Sequence, residues 1–144
     1  MIDTFERRYH DLKTRSVELA RQTGNERLYG VAGSDGKTVG ELILRSAGAV
    51  EQMIGGVTRR LWDDPFEWTL PETMQTAEAV TDYIDEVEAS RKTGFLFFKD
   101  DQDLTKTLPA PVEMKTLFTV LTETLERAEL LHEKAESLLA SITD

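Results

Sequence analysis

TVGELILRSAGAVEQMIGGVTRRL, residues 38–61, is the stretch on which the fold turns. It opens with Thr38-Val39-Gly40-Glu41, a capping box: the Thr hydroxyl and the Glu carboxylate three residues on satisfy free backbone amides of a helix start reciprocally. Behind it Val39, Leu42, Ser46, Val50, Met53, Val57 and Leu61 recur at intervals of three and four, widened by Ile43, Ala49 and Ile54. An apolar face that broad predicts a long helix laid against a core.

The same period continues on both sides. Phe5, Tyr9, Leu12, Ser16 and Leu19 predict a first helix from about Asp3, a residue able to cap it, to near Gln22. Gly24 to Lys37 is dense in turn formers and reads as a loop, longer than the usual two to eight residues between bundle helices. Trp62 through Pro71 forms another loop, broken by Pro65 and Pro71. A third helix runs from about Thr76 to the neighbourhood of Phe98, with Val80, Ile84 and Val87 inward, and Asp100 to Pro111 is a loop again. In the last helix Met114, Phe118, Leu121, Leu125, Ala128, His132, Ala135, Leu139 and Ile142 form a heptad-like seam. Four helices with no strand pattern predict an all-α, antiparallel four-helix bundle, one domain over residues 1–144.

Composition narrows the chemistry. The chain has no cysteine, which removes disulfides, thiolate metal sites and a cysteine nucleophile together. Its N-terminal stretch is charged from the third residue and lacks a signal-peptide core, so a cytoplasmic location is expected. The longest apolar run is Phe95 to Phe98, far short of a membrane span. Residues 62–103 carry −9 of the net −10, a balance that disfavours nucleic acid and anionic membranes, which require clustered Lys and Arg.

Few motifs carry chemistry. Gly36-Lys37-Thr38 has the tail of a phosphate-binding loop, but Val31 stands where its first glycine belongs, and no strand precedes it. Glu129-Leu130-Leu131-His132 has the Glu-x-x-His spacing of di-iron bundles, which need two copies. The only other histidine, His10, lacks a glutamate three residues before it. His132 falls in phase with the apolar seam, where a buried imidazole satisfied by hydrogen bonds competes with a metal ligand. Trp62, Phe66 and Trp68 gather among Asp63, Asp64 and Glu67, either closing the core or lining a pocket mouth. Phe95-Leu96-Phe97-Phe98 cannot all face one helix stripe, so a loop or a second subunit must cover part of it, and a homodimer is expected.

The opening of the second helix after a Gly-rich loop, the following WDDPFEWTL (62–70) and a histidine inside the last helix resemble the DinB/YfiT-like superfamily of four-helix bundles. The resemblance covers most of the chain and implies a homodimer. It also implies a divalent metal, zinc or nickel, held by one histidine on helix two and two on the last helix, used in some members for thiol transfer, isomerisation or hydrolysis. Here those positions fall on Arg45, Ala128 and His132, so one ligand of three survives. An arginine is no ordinary metal ligand, although it binds anions and carboxylates well. The resemblance therefore implies a metal-site-degenerate binding or interaction module without a cofactor, taking a small molecule at Arg45, Trp62 and Trp68. The competing expectation is a metal-dependent thiol transferase or hydrolase with an altered ligand set, His132 with Glu129.

Overall fold

The computed structural model describes residues 1–67 and 69–143. Four helices dominate: α1 (Ile2–Arg27), α2 (Val39–Arg59), α3 (Ala77–Phe95) and α4 (Leu117–Ile142). Between α3 and α4 lies a small antiparallel hairpin of β1 (Thr107–Pro109) and β2 (Met114–Thr116), an element that the sequence pattern did not announce.

The helix starts follow their capping residues. At α2 the capping box forms in full: the Glu41 N–H donates to Thr38 Oγ1, and Glu41 Oε1 accepts from Thr38 N–H. Thr76 and Thr116 cap α3 and α4 with their hydroxyls. The α4 cap moves the expected start: Met114 lies in β2 and is exposed, while the buried seam begins at Leu117. In α1 no side chain caps the N-terminus, and the helix passes through a break at Gly24, whose φ of 71° and ψ of 166° only glycine adopts without strain, to end at Arg27 rather than Gln22.

Cross-helix contacts fix the directions. Glu6 meets Arg91, His10 meets Glu88, and Asn25 accepts from the Ala77 N–H, so α1 and α3 run antiparallel. Leu42 shares a cleft with Leu138 and Ile142, Val57 shares one with Leu117, and Ser46 donates to the Ala128 carbonyl, so α2 and α4 are antiparallel as well. In contrast, α2 and α3 run parallel: Tyr83 donates to Glu51 early, and Gly94 packs on Ile54 and Thr58 late. Phe5–Phe118, Tyr9–Leu121 and Arg15–Glu129 likewise make α1 parallel to α4. The bundle is thus not antiparallel throughout. A strap, residues 60–76, must return along the molecule from the end of α2 to the start of α3, and its middle rests on α2, where Gly48 admits Pro65.

The core is one cluster drawing on all four helices, with α2 packed most heavily on α4 and α1 on α3. Among the described residues no helix is long and apolar enough to cross a membrane.

Candidate functional site

Arg45 projects from the strap-facing side of α2, the side that also carries Gly48 and Gln52. It is half-buried, and its guanidinium carbon lies 3.8 Å from the centroid of the Phe66 ring, a cation–π stack supplied by the strap's 3-10 turn at Pro65–Glu67. Its Nε is shielded from solvent, and among the described residues it has no hydrogen-bond partner and no carboxylate forms an ion pair with the side chain. Stacking fixes the plane of the guanidinium while leaving its donors unassigned, the arrangement that bidentate carboxylate binding needs.

Trp62 is placed differently. Its ring lies against Gly56, where any Cβ would meet it at 2.3 Å; its indole N–H donates to the Pro109 carbonyl over 3.2 Å, and its own carbonyl accepts from Gln52. Gly56 is eleven residues beyond Arg45, about 16 Å along the helix axis at about 1.5 Å per residue. Trp62 therefore seals the other end of the α2–α4 seam and borders a cleft of about 270 Å³ with Arg127 and Lys115, apart from Arg45. Trp68 lies outside the described residues.

His132 is buried in α4, 1% exposed. Its Nε2 lies 3.3 Å from Glu136 Oε1 but out of hydrogen-bond alignment, so among the described residues the nitrogen has no hydrogen-bond partner. Burial holds its pKa below the ordinary 6.5, against the opposing pull of Glu136 and with the help of nearby Arg15. Glu129 is engaged elsewhere, accepting from Arg8 at 2.7 Å and Arg15 at 3.3 Å across the α1–α4 face. Ala128 offers only its carbonyl, taken by Ser46. Among the described residues no three His, Asp or Glu side chains gather as a metal site. A divalent site ordinarily holds three or more donors converging on one point, and among the described residues His132 and Glu129 are turned to different neighbours.

A polar cluster was not foreseen. Arg91, wholly buried, donates through Nε to Glu88 Oε1 at 2.7 Å and through Nη1 to Glu6, and stacks on Phe95. Glu88, itself 7% exposed, uses its other oxygen for His10 Nδ1 at 2.9 Å. Beside this cluster a cavity of about 30 Å³, bordered by Tyr9, Ser16 and Ser46, is large enough for a single water. The signal was available: Val80, Ile84, Val87 and Arg91 continue one stripe, so an arginine in that phase had to be buried and paired.

Compared with protein-family models, curated proteins and solved structures, the chain matches none.

Proposed function

We propose that the protein is a DinB-like bundle whose metal position has been given over to an arginine, and that it works as a binding module for a small carboxylate-bearing molecule. The observation that carries this reading is Arg45, pinned on Phe66 with its buried Nε unpartnered. A buried donor without a partner costs about 1–3 kcal/mol, which a bound carboxylate would offset. Support comes also from Glu129, which is held by two arginines of α1 rather than turned toward a shared ion with His132.

Thermal melts with acetate, succinate and phenylacetate test the reading. A carboxylate should raise the Tm of the wild type and leave Arg45→Met unmoved, because Met keeps the packing on Phe66 without the charge. Metal content and melts after chelation distinguish the alternative: a stoichiometric zinc or nickel ion whose removal lowers the Tm would replace this reading with the metal-dependent transferase or hydrolase that uses His132.

A further inference from the structure

The end of the bundle where α2 and α3 finish carries an exposed apolar surface. Two adjoining clefts of about 300 and about 460 Å³ share Val57, Arg60, Phe97 and Phe98. Phe97 is 71% exposed, with Leu96 beside it at 84%. Around this apolar floor stand Arg59, Arg60 and Lys99, all exposed.

The acids at this end hold other groups, and Arg59 acts on the Glu51 carboxylate only through its field. Asp103 accepts from Lys106 at 2.7 Å and from the Lys99 backbone N–H, Asp100 accepts from the Gln102 N–H, and Asp101 from the Ile2 N–H. Among the described residues neither the Arg59 guanidinium nor the Lys99 ammonium forms an ion pair. Arg60 stands at φ 59°, the left-handed position where glycine ordinarily ends a helix, and uses Nη1 to cap the Val57 carbonyl. The protein as a whole has 27 acidic against 17 basic residues. A basic, aromatic end on an acidic molecule attracts a partner combining carboxylates with apolar side chains.

Other occupants meet electrostatic opposition. A two-fold pairing of copies through this end would bring the two clusters of Arg59, Arg60 and Lys99 into one interface, a like-charge approach that the homodimer expected from Phe95–Phe98 would have to bear here. The net −10 of the chain opposes every anionic occupant at long range, and a short acidic peptide brings fewer charges against it than a membrane surface or a nucleic acid.

We propose that this groove docks an acidic peptide segment of a partner protein, its carboxylates pairing with Arg59 and Lys99 and its apolar side chains packing on Phe97 and Leu96. The test is fluorescence anisotropy with a short labelled peptide of Glu, Leu and Phe, and with its Lys-for-Glu counterpart as control. The acidic peptide should bind the wild type, more weakly as NaCl rises. It should bind about tenfold more weakly to the R59E/K99E double variant and to Phe97→Ser, all exposed changes whose melts should match the wild type. Equal binding to the charge-reversed variant, equal binding of the Lys peptide, or no binding to the wild type overturns the proposal. So does sedimentation showing a dimer that Phe97→Ser dissolves, or cosedimentation with phosphatidylglycerol vesicles in place of peptide binding.

Discussion

His132 shows what burial does to a single ionisable side chain. Its folded pKa lies below 6.5 because the imidazolium would lose its water, and the ring nitrogen near Glu136 has no aligned partner. The sign of the linkage follows. Above about pH 6.5 the ring is neutral in both folded and unfolded chains, and the stability it contributes is fully present. As pH falls from there toward the lower folded value, the unfolded chain takes up the proton first and that stability is lost. His132→Leu should remove this component: in urea melts at pH 7.5 and 5.5, the variant should lose less stability across the interval than the wild type, and at pH 7.5 it should be no less stable, since a buried unpaired polar atom has been replaced by an apolar one. The seam in the sequence placed His132 correctly in the interior, because phase along a helix is local information. Arg45 sat at the border of a stripe, and phase alone could not foresee the Phe66 ring that a distant strap lays over it.

At the scale of elements, Arg91 and Glu88 hold α3 to α1 through Glu6 and His10. Arg91→Met should cost about 3–5 kcal/mol, measured by denaturant melts, because it strands the Glu88 carboxylate without its counterion in a place that water reaches poorly. The R91M/E88L double variant should recover most of that loss, since both charges leave together. A capping signal made the start of α2 legible at Thr38, whereas Asp3 does not cap α1, and Thr76 and Thr116 cap α3 and α4 without having been read as caps from spacing alone. Met114 misled because spacing of three and four extends past a helix start as readily as it begins there; only pairing with β1 shows that the chain is extended at that point. The hairpin itself is three residues a side, too short for an alternating pattern to stand out.

Across the whole molecule, the order of elements was legible and their directions were not, because an amphipathic stripe says that a helix must be covered without saying by which neighbour. The parallel course of α2 and α3 became visible only in contacts between residues far apart in the chain. That course has a consequence for cutting the molecule. A nick in the strap at 60–76 would divide it into one piece with α1 and α2 and another with α3 and α4, yet the heaviest packing joins α1 to α3 and α2 to α4. Each piece would keep its loop and lose its principal interface, so neither should hold helical structure alone by circular dichroism, while an equimolar mixture should regain it. The two halves are less a pair of hairpins than the interleaved fingers of two hands, and each is the mould in which the other sets.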